Sequence, residues 1–204
     1  MVSSLLLASN SPRRRVLLAE AGFDFENLSP NVDEKADVDL TARELTLCNA
    51  IRKGIWVARE HRDKVVLAAD TLVVLEDTII GKPRNLADAA QILRRLSGRV
   101  HEVCSAVFIC HPAAARSTTF HEISRVRFRR LSQSKIDNYL RKINPLDKAG
   151  AYAAQGHGSE IIEGIEGSYT NVVGLPMEKT TTALAQFGIK PKSSNASRPI
   201  PPGG

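Results

Sequence analysis

Val65-Val66-Leu67-Ala68-Ala69-Asp70-Thr71-Leu72-Val73-Val74-Leu75 is an apolar run rich in β-branched residues and broken at one place, by Asp70-Thr71. Continuous hydrophobicity of this kind reads as a strand covered on both faces. The run stops at Glu76-Asp77 and resumes as Thr78-Ile79-Ile80 before Gly81-Lys82-Pro83, which predicts a hairpin. An ionised carboxylate inside such a strand is costly unless it is paired or holds a cation. Asp70 therefore marks either a structural ion pair with a lysine or arginine, or a cleft-facing metal ligand or general base.

Toward the N-terminus, Leu5-Leu6-Leu7-Ala8 predicts a short buried strand running into Ser9-Asn10-Ser11-Pro12. Ser11 suits an N-cap and Pro12 the first helical position, and the helix should turn Val16, Leu17 and Leu18 inward and stop at Gly22. Residues 23–40 read as acidic and irregular, and Thr41-Ala42-Arg43-Glu44 is a capping box opening a helix to about Arg59. Toward the C-terminus, Asn85 caps a helix ending near Gly98. Val100–Cys110 and Thr118–Leu131 read as strands joined by the turn His111-Pro112-Ala113, and Ser132 opens a helix to Lys142. Past a Gly-rich stretch at 147–158, two short strands are expected, Glu160–Ile165 and Ser168–Val173, then a helix from Pro176 to Gly188. Helices interspersed with strands and hairpins predict an α/β protein with a mixed sheet, its cleft at the polar loops joining strand ends to helix starts.

At 204 residues, 43% hydrophobic and 25% charged, the composition is that of an ordinary globular chain of one domain or two small lobes. No apolar run approaches the ~20 residues that span a bilayer. Leu5–Ala8 is too short for a signal-peptide core, and the three cysteines are too few for a disulfide framework, so a reducing cytoplasm is expected. The net charge of +6 favours anionic partners. Lys190 to Gly204 is rich in Pro, Ser and Gly and reads as a disordered tail, 190–204, behind a domain at 1–189.

Five constellations could carry chemistry. Ser9-Asn10-Ser11-Pro12-Arg13-Arg14-Arg15 puts arginines in the first turn of a helix, where the dipole disfavours them unless an anion such as a phosphate chain is bound. Asp70-Thr71 is the second. Asp33-Glu34 offers hard oxygen ligands of the kind Mg²⁺ or Mn²⁺ prefers. Lys53 and Lys82 could meet an anion, and Gln155, in Asp147-Lys148-Ala149-Gly150-Ala151-Tyr152-Ala153-Ala154-Gln155-Gly156, could read a nucleobase edge. Each also has a plainer reading, as solvated residues or a structural loop. There is no Walker loop, no His-Glu-x-x-His and no Gly-x-Ser-x-Gly, and the five histidines lack ligand spacing. A basic nucleic-acid-binding protein without catalysis is an alternative, carried by Arg125-Val126-Arg127-Phe128-Arg129-Arg130. At 5% aromatic content stacking platforms are few, and such a binder has no need of Asp70.

Taken in order, Leu7-Ala8-Ser9-Asn10-Ser11-Pro12-Arg13-Arg14, Asp33-Glu34, Lys53, Ala69-Asp70-Thr71, Gly81-Lys82-Pro83, Asp147-Lys148-Ala149-Gly150-Ala151-Tyr152, Gln155-Gly156, Gly167-Ser168-Tyr169 and Val172-Val173-Gly174-Leu175-Pro176 resemble the Maf family of nucleoside triphosphate pyrophosphatases. The resemblance implies a two-lobed, inosine-triphosphatase-like α/β fold with a central mixed sheet, helices on both sides and a deep cleft, often a homodimer. It implies hydrolysis between the α and β phosphates with a divalent cation, Mg²⁺ or Mn²⁺. Asp70 matches the family's catalytic carboxylate, Arg13, Thr71 and Gln155 its positions of substrate choice, and Ser9, Arg14, Glu34, Lys53 and Lys82 its remaining polar cleft residues. Ala151-Tyr152-Ala153-Ala154-Gln155-Gly156 looks like the branch acting on dTTP and UTP, with modified pyrimidine nucleotides as further substrates. A house-cleaning role is implied. The family's link to cell division also keeps a non-catalytic septation regulator in view. The expected mechanism has Arg13, Arg14, Lys53 and Lys82 neutralising the triphosphate, Glu34 and Asp70 holding the metal, and Asp70 activating water. Neither a membrane nor a nucleic-acid partner is expected. Arg52 precedes Lys53, so either could face the cleft, and Leu47–Ile51 departs from the family's Ala/Lys-rich helix.

Overall fold

The computed structural model describes residues 4–33 and 39–192. In chain order the elements are β1 (Leu5–Ala8), α1 (Pro12–Glu20), β2 (Glu26–Leu28), α2 (Ala42–Ala58), β3 (Val65–Leu75), β4 (Thr78–Ile80), α3 (Leu86–Leu96), β5 (Val100–His111), β6 (Arg116–Phe128), α4 (Gln133–Leu140), β7 (Ile162–Glu166), α5 (Tyr169–Val173) and α6 (Met177–Gln186). Among the described residues seven strands form one sheet in the order β2-β1-β3-β5-β6-β7, with β4 folded back on β3. β1 is parallel to β2 and β3, and the remaining pairs are antiparallel, so the expected mixed sheet is present.

The alternation of β1 and β3 sorts their side chains into different cores. Leu5, Leu7, Val65, Leu67 and Ala69 face a cluster completed by α1, Val173, Leu175 and α6. Leu6, Ala8, Val66 and Ala68 face α2 through Ala50, Val57 and Ala58. Both faces are covered, which is why the β3 sequence lacks a polar–apolar alternation. Further along β3, Val73 and Leu75 join a separate core with α3, α4, Ala151 and Tyr152. One long strand thus runs through two lobes, and the gap between their cores lies around Asp70 and Thr71.

α2 sits close on the sheet because of Gly54, where a Cβ would fall 2.4 Å from the Phe108 ring. Its Thr41–Glu44 capping box is formed in both directions. Asn85 and Ser132 likewise cap α3 and α4 through their side chains.

Several expectations need correction. Val16 is 45% exposed, and Arg14 rather than Val16 is the third inward residue of α1 beside Leu17 and Leu18. Ser11 caps α1 by backbone position alone, without a side-chain cap hydrogen bond, and its own N–H donates to Ser9 Oγ at 3.1 Å. The segment read as irregular contains β2, which pairs in parallel with β1. Ser168–Val173 is no strand. Ser168 Oγ accepts from Asn171 N and starts α5, and the buried Asn171 amide donates to Val103 O and Ser124 Oγ, an anchorage a strand could not reach. Of the expected tail, residues 190–192 are described, with Lys192 N donating to Gly22 O at 2.8 Å, and 193–204 lie outside the described residues. On β6, Arg125 and Arg127 are exposed while Val126 and Phe128 are buried, so the basic stretch is the outer face of a half-covered strand.

Candidate active site

A cleft of about 950 Å³ opens between the lobes, and Ser9, Arg13, Arg14, Lys53, Asp70, Thr71, Lys82 and Gln155 all line it. Residues up to 146 positions apart in sequence, Ser9 and Gln155, meet there because β1 ends at the gap that β3 crosses and the segment after α4 borders. Glu34, expected to hold a metal, lies outside the described residues, and its neighbour Asp33 is exposed.

Asp70 follows Val66 and Ala68 on the α2-facing side of β3. Its carboxylate meets Lys53, whose Nζ donates to Oδ1 at 2.6 Å, with side-chain exposures of 9% and 8% for the lysine and aspartate. Asn49, one helical turn before Lys53, donates through Nδ2 to Oδ2 at 3.4 Å. Each oxygen of the carboxylate therefore has its own donor from one face of α2. Arg52 points to solvent, so the cleft cation of that pair is Lys53. The structural ion pair set out above is formed, and the same carboxylate lines the cleft.

Thr71 is turned to the opposite side, toward Arg14. The Arg14 guanidinium, 7% exposed, donates from Nε to Gly174 O and from Nη1 to Ala69 O, each at 2.8 Å, and more weakly to Ser9 Oγ. Its Nη2 reaches Thr71 Oγ1 at 3.1 Å, and that hydroxyl also pairs with Ser105 Oγ at 2.8 Å. Gly174 has a φ of 131°, a conformation a side chain would strain, and this turn is what aims its carbonyl at the arginine. Arg14 thus ties the Ser9 loop, the backbone of β3 next to Asp70 and the end of α5 into one unit.

Arg13 lies at the rim. Its Nη1 donates to Asp147 Oδ2 at 3.0 Å. Lys148 Nζ lies 2.6 Å from Asp147 Oδ1. Burial opposes ionisation of Asp147, yet the hydrogen bond and charge of Lys148, with the charge of Arg13, hold its carboxyl below the usual range. Lys82 is exposed on the turn after β4, and Gln155 is half-buried in the loop after Tyr152. Behind the cleft wall, Tyr152 OH meets His101 Nε2 at 2.9 Å, and burial lowers the His101 pKa to about 4.

Asn49, Asp147 and Lys148 are cleft residues that the sequence reading did not single out as site residues. Asn49 sits at i−4 from Lys53, a spacing that puts both on one helix face and could have exposed it. No comparable signal links Asp147 to Arg13.

Among the described residues no group of three or more His, Cys, Asp or Glu could hold a metal ion. Among the described residues that line the cleft, Asp70 is the buried carboxylate, while Asp77 and Asp147 are exposed. That donor chemistry suits a hard cation such as Mg²⁺, which commonly uses one or two carboxylates and takes its other oxygens from substrate phosphates and water.

The family model for Maf-like proteins matches residues 4–187. A protein of Dictyoglomus turgidum named dTTP/UTP pyrophosphatase is 41% identical over 189 residues, covering 92% of this chain and 98% of that one. Proteins of the same name from Bacillus anthracis and Bacillus cereus are 41% and 40% identical, covering 91% and 92% of this chain and 96% and 92% of theirs.

Proposed function

The chain belongs to the Maf-like protein family, and from that premise we propose that it hydrolyses dTTP and UTP to the monophosphate and pyrophosphate, with Asp70 as the base. The observation that carries the reading is the oriented carboxylate of Asp70, buried against a cleft whose other charged residues, among those described, are five cations, Arg13, Arg14, Lys53, Lys82 and Lys148, and two exposed aspartates, Asp77 and Asp147. Arg13, Lys82 and Lys148 line that cleft and would meet the negative charge of a triphosphate. Water attacks the α phosphorus, a proton passes from it to the Asp70 carboxylate, and the bond from the α phosphorus to the bridging oxygen breaks. The electron pair leaves with pyrophosphate, whose growing charge the basic groups stabilise. Lys53 and Asn49 hold the carboxylate in one plane during this transfer. Arg14 serves by position, its donors being spent on protein oxygens around Asp70 and Thr71. Thr71 and Gln155 face the cleft as the groups that would choose the base.

A divalent cation would be held by Asp70, with Glu34 as its partner, and when bound it would neutralise phosphate charge and lower the pKa of a bound water. The reading has the enzyme working as a homodimer, as the family resemblance implies, and in the reducing cytoplasm that its three free cysteines fit, with residues 1–189 as the catalytic unit and 190–204 as a tail. No helix among the described residues is long and apolar enough to cross a membrane.

The test is product analysis on dTTP and UTP with Mg²⁺ or Mn²⁺, resolving pyrophosphate from orthophosphate. Pyrophosphate with an equal amount of monophosphate is expected. Orthophosphate with a diphosphate, or no turnover on either nucleotide, contradicts the reading.

A further inference from the structure

We propose that Asp147 is a further positioning residue of this site, an internal anion that competes with phosphate for Arg13 and so weakens the hold on the pyrophosphate product. The inference rests on the reading of the cleft as a nucleoside triphosphate site.

Three observations carry it. The first is the mode of contact: Arg13 spends Nη1 on Asp147 Oδ2 at 3.0 Å and Nη2 on the Asp147 carbonyl at 3.4 Å. This is the edge of the guanidinium that would grip a phosphate in a forked pair. The second is where the partners stand. Arg13 is on the first turn of α1, whose Leu17 and Leu18 belong to one core, whereas Asp147 precedes Ala149, Ala151 and Tyr152, which belong to the other. The pair therefore crosses the cleft, between residues 134 positions apart. The third is the asymmetry of the two anchorages. Asp147 is held by its own neighbour, since Lys148 Nζ donates to Asp147 Oδ1 at 2.6 Å and to Asn144 O at 2.7 Å. Arg13, 26% exposed against a carboxylate 44% exposed, lies within reach of solvent and of an arriving anion.

An anion can engage this edge of Arg13 only by displacing a carboxylate already there. The exchange costs every ligand that uses Arg13 the free energy of one partly exposed ion pair. A triphosphate, which also meets Lys82 and the Ser9 loop, binds in spite of that cost. When pyrophosphate has formed, Asp147 returns to Arg13 and helps to expel it. The effect on the ligand is assigned to Arg13, because Lys148, the other cation on this carboxylate, stays tied to Asn144 O at 2.7 Å, and Asp147 takes no part in bond making.

The experiment is calorimetric titration of the full chain with inorganic pyrophosphate in EDTA. It compares wild type, Asp147→Asn, and Asp77→Asn, which removes the same charge from another residue lining the cleft. Both substitutions are repeated in an Arg13→Gln background, and circular-dichroism melting checks each fold. Freeing Arg13 from one partly exposed ion pair should tighten pyrophosphate binding about five-fold in Asp147→Asn. Asp77→Asn should give a smaller gain, and in the Arg13→Gln background the two substitutions should become equal. A gain no larger than that of Asp77→Asn, weaker binding, or a gain that persists without Arg13 overturns the proposal. If any of these occurs while the wild type still releases pyrophosphate from dTTP, the nucleotide reading stands and the role of Asp147 falls. A wild type that binds no pyrophosphate and releases none from dTTP with Mg²⁺ or Mn²⁺ removes both.

Discussion

Lys53 Nζ lies 2.6 Å from Asp70 Oδ1, and the two side chains are among the few charged groups buried in this protein. α2 brings the cation and β3 the anion, and Gly54, next to Lys53, lets the helix approach closely enough for them to meet. Removing one partner of such a pair leaves the other charge uncompensated, whereas removing both can be nearly neutral. Lys53→Met should therefore destabilise the fold by about 3 kcal/mol, and Lys53→Met with Asp70→Asn should recover most of that loss. Urea unfolding of the two single variants and the double variant checks this. Additive losses would contradict direct pairing.

Gly54→Ala tests how α2 is seated. A methyl group there meets the Phe108 ring at 2.4 Å, so either the ring or the helix must move. Overpacking of this kind costs about 1–3 kcal/mol. Because Lys53 moves with the helix, kcat should fall as well. An unchanged melting temperature and unchanged kcat would show that the close approach is dispensable.

Arg14→Lys should cost stability and turnover together. A lysine cannot reach Gly174 O, Ala69 O and Thr71 Oγ1 at once, as the guanidinium does. Leaving a buried carbonyl unpaired costs about 1–3 kcal/mol. With Ala69 adjacent to Asp70, the expected kinetic signature is a larger fall in kcat than rise in KM for dTTP. A rise in KM alone would make Arg14 a direct phosphate ligand instead.

His101 predicts a pH dependence of stability. It is 1% exposed, and its pKa is lowered by burial to about 4 from 6.5. The unfolded chain thus takes up the proton first as pH falls. The stabilisation from keeping this ring neutral is complete above pH 6.5 and is lost between there and about 4. The loss is on the order of 3 kcal/mol. Denaturant unfolding at pH 7 and pH 4.5 should show a smaller difference for His101→Gln than for wild type. Equal differences would mean that His101 is not the group responsible.

What could be read from the sequence was whatever has a local cause. The capping box at Thr41–Glu44, the hairpin after Leu75 and the caps at Asn85 and Ser132 depend on residues a few positions apart, and all are formed. β2, a three-residue strand at the sheet edge and half-exposed, carries no pattern of its own. For α5 the local sequence Val172-Val173 favours a strand, while the buried bonds of Asn171 to Val103 and Ser124 decide otherwise. In the site, Asp70 stands out as a charge in an apolar strand and Lys53 as a candidate contact for an anion, but that the two pair with each other is not legible. The buried stripe of α2 runs through Thr46, Asn49, Ala50, Lys53, Gly54 and Val57, polar and small residues that hide the usual apolar periodicity. Arg13 and Asp147 are joined only by the closing of two lobes, and nothing in local sequence records that.

The most direct test of the account is hydrolysis of dTTP in ¹⁸O-labelled water by wild type and Asp70→Asn, with the label located by mass spectrometry. Attack on the α phosphorus puts the label in dTMP and leaves pyrophosphate unlabelled, and loss of the base should slow turnover about 10²–10⁴-fold. Label in pyrophosphate, or an Asp70→Asn variant that turns over near the wild-type rate, would contradict it.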